Sequence, residues 1–139
     1  MAATVPSHVP AYTIGTLSVA LGLNAIFRPE AEHPRFGLPL EHGGGQTPPH
    51  RGSAVSPLMY LKGIREISYG LLLIGLQSQG QETAVTTLAA VMACVGLADG
   101  VVVWCCGGAE RRQKAWGHWA TFLGLGAWAW YRVSIDGAG

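Results

Sequence analysis

Four stretches of this chain contain no Asp, Glu, Lys or Arg, and they constrain its fold more than any other feature. They are residues 1–27, 67–81, 83–98 and 115–131. A helix on the surface of a soluble protein carries a polar, usually charged face, whereas a membrane-spanning helix needs about 20 mostly apolar residues. The sequence therefore predicts an all-α fold, a four-helix transmembrane bundle, formed as a single domain over residues 1–139.

The predicted spans leave a long polar segment in the first half of the chain. The spans are expected at about 11–27, 58–77, 83–106 and 115–131. The second span is the least regular, because Lys62, Arg65 and Glu66 lie in its first half. The segment 28–57 is rich in Pro, Gly and His, and it is predicted to form a long cytosolic loop.

This long loop is expected to lie over the cytosolic mouth of the bundle as a lid, because long loops are often functional. Its histidines are His33, His42 and His50, and their spacing fits no compact metal motif. We therefore expect no metal ion. Motifs for nucleotides, haem or phosphate do not occur in the sequence, so no cofactor is expected either.

The distribution of Lys and Arg predicts the orientation of the bundle. The basic residues of the first and third loops are Arg28, Arg35, Arg51, Arg111, Arg112 and Lys114. The positive-inside rule places both loops in the cytosol and both termini across the membrane, with Arg132 in the C-terminal tail. We expect a multi-pass integral membrane protein in contact with membrane lipids, in the endoplasmic reticulum if the source is eukaryotic. The net charge of +1 gives no electrostatic footprint for nucleic acid.

Each predicted span carries a polar group close to its cytosolic end. These residues are Asn24, Arg65 with Glu66, Asp99 and His118. At about 1.5 Å of rise per residue, all of them lie within roughly 5–12 Å of that end. Ionisable groups inside spans are costly and are usually paired or functional. If these side chains face inward, they line one cavity that opens to the cytosol.

The residue types in this group predict acid–base chemistry. Asp99 or Glu66 would serve as the acid, kept protonated by partial desolvation, and His118 would act as a base or relay. Arg65 and Asn24 would bind the substrate by holding a developing oxyanion or carbonyl. Structural roles stay open as well. Arg65 and Asp99 would then lock two helices together, and Asn24 would form an interhelical hydrogen bond. Glu66 and His118 would lie at the membrane interface.

Several short motifs occur in a characteristic order along the chain. They are Asn24-x-x-x-Arg28-Pro29 with Phe36-Gly37, Lys62-Gly63-Ile64-Arg65-Glu66-Ile67-Ser68-Tyr69-Gly70-Leu71-Leu72, Leu97-Ala98-Asp99-Gly100 and Lys114-Ala115-Trp116-Gly117-His118. Together they resemble a family of small four-helix membrane proteins of fungi and bacteria, catalogued as a domain of unknown function and similar to the DoxX-like proteins. The family often has Asp where this chain has Glu66. Fungal relatives can sit in secondary-metabolite gene clusters, so the resemblance implies a step on a polyketide, terpenoid or meroterpenoid intermediate.

The leading hypothesis is a membrane-embedded enzyme that acts on a lipophilic intermediate by isomerisation, cyclisation or epoxide opening. One alternative is a non-catalytic scaffold that recruits pathway enzymes through its loops. Another is a small transporter or export helper, which would need a homo-oligomer because four helices in one copy are few for a transport path. The GxxxG pattern at Gly96 and Gly100 is expected to pack within one chain rather than between two copies.

Overall fold

The computed structural model describes residues 7–38 and 57–136, and within these ranges the chain forms helices joined by turns, with no strand. Five α-helices and one turn of 3-10 helix occur in this part of the chain. They are α1 (Val9–Phe27), α2 (Pro29–Phe36), α3 (Pro57–Ser78), α4 (Glu82–Cys106), the 3-10 turn (Arg112–Lys114) and α5 (Ala115–Asp136). The predicted all-α class is therefore confirmed for the described residues.

Proline and glycine set several helix boundaries. Pro10 lies in the first turn of α1, where its missing N–H would have no intrahelical partner. Pro29 disfavours a helical backbone at Arg28, which ends α1 with φ −135° and ψ 54°. Pro29 itself begins α2. Gly80, with φ +67°, provides the left-handed backbone of the tight turn between α3 and α4.

α1 and α3 pack antiparallel along a face made of glycines. Gly15 and Gly22 on α1 lie against Gly70 and Gly63 on α3. A Cβ atom added at Gly22 would lie 2.5 Å from the carbonyl oxygen of Gly63, and one at Gly15 would lie 3.0 Å from that of Gly70. The two backbones are therefore in direct contact, which only small residues allow.

α4 and α5 pack antiparallel in a similar way, through the GxxxG pattern on α4. A Cβ atom added at Gly96 would lie 3.2 Å from the carbonyl oxygen of His118. One added at Gly100 would overlap the indole ring of Trp119. The GxxxG face is thus covered by α5 of the same chain, in line with the expectation from the sequence.

Two of the described helices, α1 and α4, are long and apolar enough to cross a membrane. α3 contains 22 residues but includes Lys62, Arg65 and Glu66, and α5 includes Arg132 and Asp136. These charges lower the hydropathy of both helices. By composition there are two candidate spans among the described residues, and the bundle of four spans stays a prediction.

The structure differs from the predicted loop and tail at two places. The predicted loop over residues 28–57 begins with helix α2, and residues 39–56 lie outside the described part of the chain. His42 and His50 are among the latter. The predicted C-terminal tail is also wrong, because α5 continues to Asp136 and the side chain of Arg132 is completely buried.

Arg132 belongs to a polar cluster that seals one end of the bundle. Its guanidinium donates hydrogen bonds to the carboxylate of Glu82 and, at 2.8 Å, to the hydroxyl of Thr86. The same group lies 5.4 Å from the ring centroid of Trp128. Gln77 donates a second hydrogen bond to Glu82, at 2.8 Å. The adjoining apolar core consists of Ala11, Leu73, Val85, Met92, Ala93 and Leu125. The bundle is therefore solid at this end.

Candidate functional site

The other half of the bundle encloses a cavity of about 840 Å³ between all five helices. Its apolar wall includes Ile14, Leu17, Leu21, Met92, Val95 and Leu125. Its polar wall includes Glu32, Arg35, Lys62, Glu66, Tyr69, Asp99, Lys114 and His118. Ligand sites in proteins have this size and this combination of apolar walls with a few polar groups. The cavity is therefore the candidate functional site.

Three of the predicted catalytic residues meet on the wall of this cavity. Glu66 comes from α3, Asp99 from α4 and His118 from α5, and all three are half-buried. The predicted substrate-binding residues behave differently. Among the residues that line the cavity, neither Arg65 nor Asn24 occurs. Three helices thus each bring one predicted catalytic side chain to the wall. Outside the lining, Arg65 pairs with Asp99, and Asn24 donates a hydrogen bond to Glu32.

Arg65 is held by Asp99 through two hydrogen bonds. Its Nη2 lies 2.7 Å from Asp99 Oδ2, and its Nη1 lies 3.4 Å from Asp99 Oδ1. This two-pronged geometry is the one that a guanidinium forms with an ionised carboxylate. Both terminal nitrogens of the Arg65 guanidinium therefore bind Asp99. The sequence alone had left two roles open for these residues, a structural pair and the binding of a ligand.

The Glu66 carboxylate is less constrained than that of Asp99. Its closest cation is Arg65, whose Nη2 lies 3.8 Å from Glu66 Oε1. Within the described ranges it accepts no hydrogen bond, although its side chain is only 20% exposed. Glu66 is therefore the carboxyl group that a ligand in the cavity can engage directly.

His118 is fixed by the segment that follows α2. Its Nε2 lies 3.1 Å from the backbone carbonyl oxygen of Phe36. A carbonyl oxygen only accepts hydrogen bonds, so Nε2 must carry the proton, and Nδ1 is the ring nitrogen that can accept one. The Phe36 ring meets the imidazole edge to face, with centroids 4.8 Å apart. The orientation of a potential base is thereby set.

Residues 29–38, here named the α2 strap, lie across the mouth of the cavity. The strap is anchored at its first end by Glu32, which is 2% exposed. Glu32 accepts a hydrogen bond from Asn24 and another, at 3.3 Å, from Arg35. Its second carboxylate oxygen lies 3.7 Å from Lys62 Nζ. A buried carboxylate with these partners ties the strap to α1 and α3.

The second end of the α2 strap docks on α4 and the turn before α5. Gly37 has φ +102°, and a Cβ atom there would lie 2.7 Å from Val103 Cγ1. Gly107 packs against the carbonyl oxygen of Gly37. The carbonyl oxygen of Leu38 accepts a hydrogen bond of 2.5 Å from Arg111. The strap therefore bridges both helix pairs and occupies the position expected for the lid.

Several polar residues of the cavity wall were not predicted as site residues from the sequence. They include Glu32, Arg35, Lys62, Tyr69 and Lys114. Glu32 was missed because it lies in the predicted loop. A usable signal was present, since Pro29-Glu30-Ala31-Glu32 begins with proline and has acidic residues in its first turn, as helix starts do. Arg35 and Lys114 were interpreted only as determinants of orientation, and Lys62 only as an irregularity of the second span.

The charges at this end of the cavity nearly balance. The carboxylates are Glu32, Glu66 and Asp99, and the cations are Arg35, Lys62, Arg65 and Lys114. No three His, Cys, Asp or Glu side chains within residues 7–38 and 57–136 come together as metal ligands would. The arrangement can donate and accept protons in a partly dehydrated space, next to a largely apolar wall.

Fold and site together define an all-helical bundle that is sealed at one end and hollow at the other, with titratable side chains on the cavity wall. The chain belongs to the family described as a domain of unknown function (DUF4267), which matches residues 15–132. This range contains Glu66, Asp99, His118 and the whole α2 strap. Neither a curated protein nor a solved structure gives a match to the chain. Similarity to the DoxX-like proteins stays a prediction.

Proposed function

We propose that the protein is a multi-pass membrane protein that binds a lipophilic intermediate in its cavity and converts it by acid–base catalysis without a cofactor. The observation that carries this proposal is the convergence of Glu66, Asp99 and His118 on one wall of a largely apolar cavity. Isomerisation, cyclisation and epoxide opening change no oxidation state, so positioned proton donors and acceptors are sufficient for them.

The outward faces of the helices support four spans, formed by α1, α3, α4 and α5. On α3 the charged residues Lys62, Arg65 and Glu66 are half-buried and turned towards the bundle. Its outer face exposes Leu58, Leu61, Ile64, Leu71 and Leu72. α5 likewise exposes Trp116, Leu123, Trp130, Tyr131 and Val133. Charges that face inward and apolar residues that face outward are the arrangement of spanning helices, and such apolar surfaces are unusual on soluble monomers.

The basic residues support an orientation with the cavity mouth towards the cytosol. Arg35 lies on the α2 strap, and Arg111, Arg112 and Lys114 lie in the turn before α5. Strap and turn contact each other through Leu38 and Arg111, so they share one end of the bundle. The positive-inside rule assigns that end to the cytosol. For a eukaryotic source, the endoplasmic reticulum is part of the same proposal.

In the proposed chemistry, Glu66 donates a proton to an oxygen or an alkene carbon of the intermediate. His118 accepts a proton through Nδ1 from a neighbouring carbon, and the two residues then exchange a proton to restore the starting state. Asp99, held by Arg65, stabilises positive charge that develops on the substrate or on the imidazole. The α2 strap and the apolar wall keep water away from the reacting atoms.

The wall of the cavity and the resemblance noted in the sequence both support the proposed class of substrate. A mostly apolar cavity suits a terpenoid, polyketide or meroterpenoid intermediate, whose few oxygen atoms would face Glu66 and His118. These are the compounds made by fungal secondary-metabolite gene clusters, in which relatives of this type can sit. The proposal thus makes the protein an isomerase or cyclase of such a pathway.

The test is a metabolite comparison in the source organism. A strain without the gene is complemented with the wild-type chain, Glu66→Gln, Asp99→Asn or Glu110→Gln, and extracts are analysed by mass spectrometry. Glu110 is an exposed carboxylate in the turn after α4, so its substitution is the matched control. We expect Glu66→Gln and Asp99→Asn to accumulate the same intermediate as the deletion, and Glu110→Gln to restore the product.

Two results would contradict the proposal. Restoration of the product by both Glu66→Gln and Asp99→Asn would remove the chemical role of the carboxylates and favour the scaffold alternative. Release of the protein from membranes by alkaline carbonate would contradict the proposal that it is an integral membrane protein. The amount of protein in the membrane fraction, measured for every variant, separates loss of chemistry from loss of folding.

A further inference from the structure

The cavity has an open side between α1 and α5. Among the described residues α1 packs along α3 and α5 packs along α4, but α1 and α5 scarcely touch. Both helices contribute to the apolar core next to the sealed end, α1 through Ala11 and α5 through Leu125. Above that point the two helices flank a slot. Its rim consists of Leu17 and Leu21 on α1 and of Gly117, Thr121 and Gly124 on α5, all exposed and all part of the cavity wall.

Small residues on α5 keep this slot open. A Cβ atom added at Gly124 would meet no atom within 4 Å, and the same is true at Gly117. Glycines that face α4, such as Gly96, are in contact with the backbone of their neighbour. Gly117 and Gly124 are therefore not required for helix packing. Their effect is to leave a passage from the outer surface of the bundle into the cavity.

The cavity is polar at one end and apolar at the other. Glu66, Asp99 and His118 lie at the end covered by the α2 strap, whereas Met92 and Leu125 form the floor. Met92 precedes Asp99 by seven residues on α4, and Leu125 follows His118 by seven on α5. At about 1.5 Å per residue, both helices give a distance of roughly 10 Å from the polar end to the floor. This depth holds the first part of the chain of an amphiphile, and the rest of a longer chain can lie in the slot between α1 and α5.

The charges at the polar end define the kind of head group that fits. Three carboxylates face four cations there, and Arg65 and Lys62 are already engaged by Asp99 and Glu32. Lys114, the cation that forms no ion pair within the described residues, is exposed to solvent. A charged head group against Glu66 and His118 would therefore have to break one of the existing pairs or rely on this solvent-screened lysine. A hydroxyl or carbonyl group can exchange hydrogen bonds with Glu66 and His118 without disturbing them.

From these observations we infer that the cavity takes a single-chain amphiphile with an uncharged oxygen head group, which enters sideways from the lipid phase through the slot between α1 and α5. The head group lies against Glu66 and His118, and the chain lies along Leu17, Leu21 and the floor. This inference rests on the membrane setting of the proposed function but not on catalysis. A binding measurement can therefore test it separately from any turnover.

The experiment is photolabelling of the full chain in phosphatidylcholine vesicles with hexadecanol that carries a diazirine on its chain. Labelled peptides are identified by mass spectrometry, with and without an excess of unlabelled hexadecanol. We expect saturable labelling on the peptides with Leu17 and Leu125. Gly124→Trp fills the slot and should weaken the apparent affinity about tenfold or more. Gly126→Trp should not, because Gly126 lies on the same helix with open space at its Cβ but outside the cavity wall.

A second pair of variants approaches the slot from α1, in case Gly124→Trp fails to fold. Leu17→Trp should also block labelling, whereas Leu23→Trp should not, since Leu23 is exposed but does not line the cavity. Whichever pair of variants folds, equal labelling of its blocking and its control variant would overturn the proposed entry through the slot. If palmitate reduces the photolabelling as strongly as hexadecanol does, the inferred preference for an uncharged head group is wrong. Saturable labelling in a protein whose Glu66→Gln variant keeps full activity would refute the proposed catalysis while sustaining the binding site.

Discussion

The pair formed by Arg65 and Asp99 can be dissected with Arg65→Gln, Asp99→Asn and the double variant. Hydrogen bonds to charged groups contribute about 1.5–3 kcal/mol, and breaking a fully buried ion pair costs about 3–5 kcal/mol. The Arg65 and Asp99 side chains are 33% and 18% exposed, so solvent screens the pair. We therefore expect each single substitution to lower the free energy of unfolding by about 2 kcal/mol. The double variant removes both charges of this pair together, so a coupling energy of about 1–2 kcal/mol should appear.

The assay combines stability with function. Unfolding in mixed micelles is followed by the fluorescence of the five tryptophans as dodecyl sulfate is added, and product formation is measured in the complemented strain. The double variant should regain part of the stability lost in Asp99→Asn and none of the activity. A coupling energy below about 0.5 kcal/mol would refute the pairing derived from the geometry. Recovery of both stability and activity would make the pair purely structural.

Three further substitutions test the packing around the site. Gly22→Ala forces a Cβ atom against the α3 backbone and should lower the free energy of unfolding by about 1–3 kcal/mol in the same titration; Gly75→Ala, with open space at its Cβ, should not. Gly37→Ala should loosen the α2 strap, seen as faster amide hydrogen exchange there. Gly108→Ala is the control, because Gly108 has φ +73° but no neighbour within 4 Å, and it should leave amide exchange in the α2 strap unchanged. Equal rates of exchange in the two variants would refute the docking of the strap through Gly37. Arg132→Met removes the cationic partner of the Glu82 carboxylate and should lower the free energy of unfolding by about 2–3 kcal/mol. A decrease of less than about 0.5 kcal/mol would refute the role of Arg132 in sealing the bundle.

Much of the helical architecture could be predicted because membrane-type sequences carry a strong compositional signal. Four charge-depleted stretches correspond to the four long helices, and the turns between them fall where Pro, Gly and charged residues cluster. The meeting of Glu66, Asp99 and His118 followed from a simple length argument. Antiparallel helices that each carry a polar residue near the same end must bring those residues to one level of the bundle.

The first turn of α2 carries a helix-start signal, but the docking of the α2 strap could not be predicted from it, because the docking depends on contacts that are distant in sequence. An isolated helix of eight residues is unstable in water. The strap is held instead by Glu32 against Asn24 and Lys62, and by Gly37 against the α4 end. Glu32 is only 2% exposed, and such deep burial has no local signature in a polar, proline-containing segment.

Arg132 shows a second limit of sequence patterns. It follows the aromatic residues Trp130 and Tyr131, a context typical of a membrane interface, and the sequence pattern therefore predicts that it begins the C-terminal tail. The partner that buries it, Glu82, lies 50 residues earlier at the start of α4. Only the antiparallel packing of α4 and α5 brings the two side chains together. The direction in which a terminal charge points is therefore a tertiary property.

The unequal ends of the bundle bear on the choice between the three functions considered. A transport path needs access from both sides of the membrane, but here Arg132, Glu82 and Thr86 close one end over a solid apolar core. A scaffold needs an outer surface and gains nothing from a cavity with three titratable groups on its wall. The proposed entry from the lipid phase, together with the covering strap, is an arrangement for chemistry on a lipophilic molecule, because it would admit the substrate sideways while the reacting groups stay shielded from water. The one-sided cavity therefore weighs in favour of an enzyme.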